Sequence, residues 1–303
     1  MTTTQFTPAQ HAILAYALEH NTGKIVWYYQ HVVDHWDFDH PFERLIVETA
    51  IAPDPAQVAW INPRIRPGER RKVITGVPGK TGIVYTLDLK TGEFLWARPT
   101  VMQNVVQKID GATGKVTVNP ETIFEKAGDT RFVCPTPNGG KGFQAGAYSP
   151  RTNIMYYGLQ NTCEDVTSID NQSAYGINGR AKIAPGTENV GTLFAISVET
   201  GKTIWRYDQR AGMMSSVATG GGLIFTGDTN GHFRAFNDQT GAVLWDINLG
   251  SPVTGYPITY AVNGKQYVAV SVGNSLVSSG LNRLTPELLP SNSSNIFVFA
   301  LPE

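Results

Sequence analysis

The chain has 303 residues, 41% of them hydrophobic and 16% charged, with 31 glycines and 18 prolines. Soluble domains average about 25% charged residues and about 7% glycine, so this composition favours short strands and tight turns over long helices. The formal charge is −1, from 24 basic and 25 acidic residues with no long basic run, which argues against nucleic-acid binding through a basic stripe. No apolar run reaches the roughly 18 residues of a membrane-spanning helix.

Taken in chain order, residues 1–11 read as a tail. The stretch MTTTQFTPAQHAILAYALEH has no basic leader, and His11, Glu19 and His20 interrupt its apolar residues, so it does not read as a secretory signal. Four later segments share one pattern: a short apolar run, a polar turn ending in Thr-Gly, and a tryptophan five residues after the threonine. They are AYALEHNTGKIVW ending at Trp27, YTLDLKTGEFLW at Trp96, FAISVETGKTIW at Trp205 and RAFNDQTGAVLW at Trp245. Each predicts a β-hairpin whose glycine supplies the positive φ of the turn. A fifth Thr-Gly, in IDGATGKVTV, lacks the tryptophan, and NIMYYGL, GGLIFTGD, PITYAV and KQYVAVSV read as further strands.

No long stretch has the 3.6-residue apolar period of a helix. A hairpin recurring with a fixed glycine and tryptophan predicts a β-propeller of four-stranded blades, with the tryptophans as packing pegs between them. The threonines at 22, 91, 200 and 240 are unevenly spaced, so long insertions fall around 99–143 and 161–190. Three nearly complete blades are expected at 45–98, 143–208 and 214–249, with a partial blade on either side.

The residues that carry chemistry have bland readings of their own. The segment Asp34-His35-Trp36-Asp37-Phe38-Asp39-His40 suits a turn whose aspartates cap backbone N–H groups. His31, His35 and His40 suggest zinc, but no second cluster matches them. Lys80, in VPGKTG, reads as an exposed turn lysine. Cys134 and Cys163 fit neither a zinc cluster nor a haem attachment, and both a bridge and two buried thiols remain open.

The A-x-D-x-x-T-G-x-x-x-W repeat resembles that of the pyrroloquinoline quinone (PQQ) dehydrogenases, which include methanol and other alcohol dehydrogenases. HVVDHWDFDHP resembles the family's H-D-x-W-D-Y/F segment, and RKVITGVPGKTGIVYTLDLKTG its next blade. SSVATGGGLIFTGDTNGHFRAFNDQTGAVLW and GYPITYAVNGKQYVAVSVG resemble its last two blades. Residues 12–303 fall within the likeness as a single PQQ-type propeller domain. Family members are roughly twice as long and eight-bladed, so the likeness is to their C-terminal half and implies an incomplete ring of about four blades. An open arc is the expected form. In the alternative, KIVWYYQ completes the last blade and Trp27 lies beside the strand Ile296–Leu301.

The resemblance implies a PQQ- and metal-dependent oxidation of primary alcohols to aldehydes. Asp37 matches the catalytic carboxylate that accepts the alcohol proton while hydride passes to a carbonyl carbon of PQQ. Asp37 and Asp39 match carboxylates that bind Ca2+ or a lanthanide ion, and a D-x-D pair on one strand face suits a hard cation. Lys80 matches the basic residue at the quinone oxygens. Cys134 and Cys163 match a structural disulfide. A small alcohol, a cytochrome c or quinone as electron acceptor, and a periplasmic location are implied with them.

Two positions depart from the pattern: Gly142 stands where many members carry a cofactor-binding asparagine, and Met213 where methanol dehydrogenases carry a tryptophan. The remaining half of the cofactor cage implies a chain supplying the missing blades, or a homodimer. The competing expectation is a non-catalytic propeller used for protein binding or assembly.

Overall fold

A computed structural model describes residues 12–33, 36–169 and 177–300. The expected tail 1–11, together with Asp34, His35, residues 170–176 and residues 301–303, lies outside the described residues. The strands begin with β1 (Ala12–Leu18), β2 (Ile25–Val33), β3 (Leu45–Ile51), β4 (Trp60–Ile61), β5 (Glu69–Gly76), β6 (Ile83–Asp88) and β7 (Phe94–Pro99). Next come β8 (Val106–Ile109), β9 (Val116–Val118), β10 (Thr130–Val133), β11 (Ala147–Ser149), β12 (Ile154–Gln160), β13 (Thr162–Ser168) and β14 (Ile177–Ile183). Then follow β15 (Gly191–Ser197), β16 (Thr203–Gln209), β17 (Met213–Ala218), β18 (Leu223–Asp228), β19 (His232–Asn237) and β20 (Val243–Asn248). The series closes with β21 (Ile258–Val262), β22 (Lys265–Val272), the short helix α1 (Leu276–Asn282) and β23 (Asn295–Ala300).

The sheets are antiparallel and fall where the repeats predict them. The first expected blade is the five-stranded sheet β3-β5-β6-β7-β4, the second is β11-β12-β15-β16, and the third is β17-β18-β19-β20. The partial blade before them is the hairpin β1-β2, and the one after is β21-β22-β23. The insertions have structure of their own. The Thr-Gly turn without a tryptophan joins β8 to β9, and β10, β13 and β14 make a three-stranded sheet. The fold is thus a partial set of propeller blades. β2 pairs with β1 and is no part of the last sheet.

Two compact units contain these sheets. The first comprises residues 1–142, 162–182 and 199–201, and the second residues 143–161, 183–198 and 202–303. Within the first unit the Trp27 ring lies on Gly92, where an added Cβ would fall 2.6 Å from the indole. Trp27 Nε1 donates to the Leu89 carbonyl at 3.0 Å. Any side chain at position 92 would lift the ring off the turn, so glycine is required there for close approach as well as for its φ of +71°. The second unit repeats the arrangement: Trp205 lies on Gly241 and donates to the Asp238 carbonyl at 3.0 Å. The tryptophans are packing pegs, as their spacing predicts.

The first unit's core includes Val32, Trp36, Phe38, Ile83, Tyr85 and Phe94. The second unit has one cluster around Tyr156, Trp205 and Phe236 and another around Phe233 and Val270. No helix among the described residues is long and apolar enough to cross a membrane.

Cys134 and Cys163 are bonded, with Cα atoms 4.3 Å apart and a sequence separation of 29. They fasten the start of the 134–142 loop to β13. Loop-closure entropy for that separation gives about 3–4 kcal/mol of stabilisation. Replacing both cysteines by alanine is expected to lower the unfolding free energy in urea by that amount. An unchanged midpoint would show that the loop is held by its other contacts alone.

Candidate functional site: a lysine between two carboxylates

Alternation builds the site. Along residues 36–40, Trp36, Phe38 and His40 are buried, while Asp37 and Asp39 are only partly covered. Residues 36–40 form no strand, so the expected strand face is not what presents the two carboxylates; burial alternates along a loop in which Asp37 has a left-handed backbone. Trp36 pins the segment with an indole N–H donated to the Thr122 carbonyl at 2.8 Å.

Facing this segment is the β5–β6 connection, which carries Lys80. Its Nζ lies 2.9 Å from Asp37 Oδ2 and 3.0 Å from Asp39 Oδ2, and donates to the Asp37 carbonyl at 2.6 Å. The Lys80 backbone N–H donates to the Asp39 carbonyl at 3.0 Å. Far from being an exposed turn lysine, its side chain is 13% exposed, against 26% for Asp37 and 49% for Asp39. A Cβ on Gly79 would fall 2.3 Å from His40 Cγ and 2.5 Å from the Asp39 carbonyl, so only glycine lets the two segments meet. Asp37 has φ +68°, in the left-handed region that aspartate enters more readily than most residues. The aspartates do not serve as turn caps; they converge on one ammonium.

Burial raises the pKa of Asp37, and the Asp39 charge adds to this, while the hydrogen bond and charge of Lys80 oppose it. A carboxylate with a raised pKa is a stronger base.

Several further residues support the site in ways the sequence does not give. His40 donates from Nδ1 to the Phe38 carbonyl at 2.8 Å and accepts at Nε2 from the Thr81 hydroxyl at 3.1 Å, a tautomer assigned from the network. Its ring stacks on His31 at 4.8 Å. Arg44 donates to the His40 carbonyl at 2.8 Å. On the other flank, the Gly140 N–H donates to the Lys80 carbonyl at 2.8 Å. Next to it, the fully buried Lys141 pairs with Glu43 at 2.9 Å and lies 4.6 Å from the Phe42 ring centroid. A lysine in GGKG gives no sequence sign of burial.

Gly142 follows this loop and has no side chain to offer. Met213 opens β17 in the second unit and is buried. Of the three histidines, His31 and His40 stack on one another, and His35 lies outside the described residues. Among the described residues no three His, Cys, Asp or Glu side chains come together as a metal-binding group.

What converges is two carboxylates and one carbonyl, all within 3.0 Å of the Lys80 ammonium. These are hard oxygen donors gathered around a positive charge. They fit part of a hard-cation site, although Ca2+ takes about 6–8 oxygens and the remainder must come from elsewhere. Lys80 itself fits the side of an electron-rich carbonyl group.

The two histidines give the site a pH dependence. Burial holds His40 down to about 4 and His31 well below its ordinary value. Around His40 stand His31, Tyr85, Thr81, Arg44, Asp39 and Lys80. The unfolded chain takes up a proton near pH 6.5, where the folded imidazole does not. This contribution is therefore full above 6.5 and lost as pH falls towards 4, on the order of 3 kcal/mol. Urea unfolding across that range should show a flatter pH slope for His40→Gln than for the unmodified chain. Equal slopes would contradict a neutral, buried His40.

Comparison with known proteins agrees with this architecture. Residues 188–268 match the family model described as glucose/ethanol/alcohol dehydrogenase, beta-propeller domain. The chain is 31% identical over 275 residues to the dehydrogenase subunit of the quinone alcohol dehydrogenase of Acetobacter aceti, covering 85% of this chain and 35% of that protein. It is 31% identical over 268 residues to the lanthanide-dependent methanol dehydrogenase of Methylacidiphilum fumariolicum, covering 85% and 41%. Among solved structures, a europium-containing methanol dehydrogenase superposes with a TM-score of 0.81 at 26% identity, covering 96% of this chain and 53% of that one. The chain thus spans well under half the length of these curated relatives. The described sheets form part of a β-propeller with PQQ-type repeats, and the chain is similar over most of its length to the alcohol dehydrogenase subunit and the methanol dehydrogenase just named.

Proposed function

We propose that this chain contributes the proton-accepting and cation-binding part of a PQQ-dependent dehydrogenase that oxidises primary alcohols to aldehydes. The observation that carries the reading is the convergence of Asp37, Asp39 and Lys80, in a chain similar to dehydrogenases of that kind. Residues 12–303 act in it as one propeller domain. When bound, PQQ supplies a hydride acceptor, and a Ca2+ or lanthanide ion supplies Lewis-acid polarisation.

The chain's own residues do the rest. The Asp37 carboxylate takes the proton of the alcohol hydroxyl, helped by the burial that raises its pKa. Asp39 adds a second hard oxygen donor next to it. Lys80 places its charge where a carbonyl oxygen gains electron density, a role that needs a positioned cation screened from bulk water. The chain covers 35–41% of the curated relatives named above, and in this proposal the rest of the cage comes from further blades. Electrons leave to a cytochrome c or a quinone, and the Cys134–Cys163 bond suits the oxidising periplasm.

Thermal unfolding with PQQ and either Ca2+ or La3+ tests this reading. Ligand at about 100 times its Kd stabilises by about 2.7 kcal/mol, which is a shift of several degrees. The shift should be larger with PQQ and the metal together than with the metal alone, and should disappear in the double variant Asp37→Asn, Asp39→Asn. No shift with either metal would sink the proposal for this chain.

A further inference from the structure

We propose that His40 is a positioning residue of the lysine–carboxylate site: its imidazole ties the carboxylate segment to the Lys80 turn and sets the spacing at which Asp37 and Asp39 meet a cation. This role rests on the function proposed for that site and adds what keeps the site in shape. His40 is 5% exposed, so it acts through its neighbours rather than on a bound group. Its Nδ1 donates to the carbonyl of Phe38, the residue between the two aspartates, at 2.8 Å. Its Nε2 accepts from the hydroxyl of Thr81, the residue after Lys80, at 3.1 Å. One rigid ring thus bonds the chain neighbours of all three site residues.

The two segments also meet through their backbones. The Lys80 N–H donates to the Asp39 carbonyl and the Phe42 N–H to the Pro78 carbonyl, both at 3.0 Å. Two such bonds leave rotation about the line that joins them, and the His40 bridge to Thr81 supplies a third point that stops it. That rotation would slide Lys80 Nζ past the aspartate oxygens, which lie 2.9 and 3.0 Å from it. Sites of this kind work only when their groups are held to within about 0.5 Å. Groups hydrogen-bonded behind a metal's ligands orient those ligands and so tune affinity.

The bridging ring has little freedom of its own. It stacks on His31 with centroids 4.8 Å apart and planes 11° from parallel, and Tyr85 meets it edge-on at 6.2 Å. Gly79 packs so closely that a Cβ there would fall 2.3 Å from His40 Cγ. Arg44 holds the adjoining backbone, donating to the His40 carbonyl at 2.8 Å and to the Phe42 carbonyl at 3.2 Å. Thr81 is fully buried, so solvent does not readily replace a bond lost there.

Titration of the full chain with Tb3+, followed by its luminescence, tests this role without PQQ or turnover. Thr81→Val keeps the shape of threonine but loses the hydroxyl, and should weaken Tb3+ binding about threefold to tenfold; Thr81→Ser should restore it. His40→Asn keeps a donor for the Phe38 carbonyl but is too short to reach Thr81, and should match Thr81→Val. Because both cut one bond, the double variant should bind no more weakly than either alone. The bound ion should also carry more water in these variants, read from its luminescence lifetimes in light and heavy water, a change that lost stability alone does not produce. Unaltered affinity and hydration in Thr81→Val and His40→Asn, or losses that add in the double variant, overturn the role of His40. If Asp37→Asn and Asp39→Asn weaken binding in that case, only the positioning role falls; if they too leave it unchanged, the function proposed for the site falls with it.

Discussion

Much of this structure rests on one contact, an aromatic ring laid flat on a glycine at a hairpin turn. A β-sheet with two apolar faces is stable only when both are covered, and the ring on the glycine fixes how a neighbouring turn approaches. The contact needs a residue without a side chain and a left-handed backbone, and at two of the turns a carbonyl also takes the indole N–H. Gly92 and Leu89 supply these to Trp27, and Gly241 and Asp238 supply them to Trp205. Because each seat is made within one hairpin, insertions as long as 99–143 can enter the chain without disturbing the next seat.

The candidate site depends on that packing. Trp27 and Tyr29 anchor β2 on the first unit's core, and the segment leaving β2 then buries Trp36 and Phe38. With Trp36, Phe38 and His40 buried, Asp37 and Asp39 stay partly exposed and reach Lys80. Two carboxylates that close together repel each other, and the Lys80 ammonium offsets the repulsion. The lysine therefore has two duties: it holds the acid pair in place, and it occupies the point where a cation would share the same oxygens. A bound hard cation and the Lys80 ammonium compete for those oxygens unless one of them shifts.

The repeats were legible in the sequence because their signal is local. Thr-Gly followed by tryptophan five residues after the threonine spans one hairpin, and it located four of the sheets; β21-β22-β23 was legible only as apolar strand-like runs. The left-handed backbone at Asp37, on which the placement of the carboxylates depends, has no such local signal. The rest depends on distant partners. Lys141 meets Glu43 across 98 residues, Trp36 meets Thr122 across 86, and His40 meets Thr81 across 41. Nothing within GGKG or VPGKTG distinguishes a buried lysine from a solvated one. The inserted sheet β10-β13-β14 was also hidden, since its strands lie far apart in sequence and carry no repeat signature.

The central claim is that Asp37, Asp39 and Lys80 form one cation-sharing site, and a Tb3+ titration without PQQ tests it most directly. Terbium is a hard trivalent ion, and its luminescence reports binding. If the three residues share one site, Asp37→Asn and Asp39→Asn each weaken Tb3+ binding, and Lys80→Met strengthens it by removing the competing ammonium. Unchanged affinity in Lys80→Met, or full binding in the aspartate variants, would contradict the account.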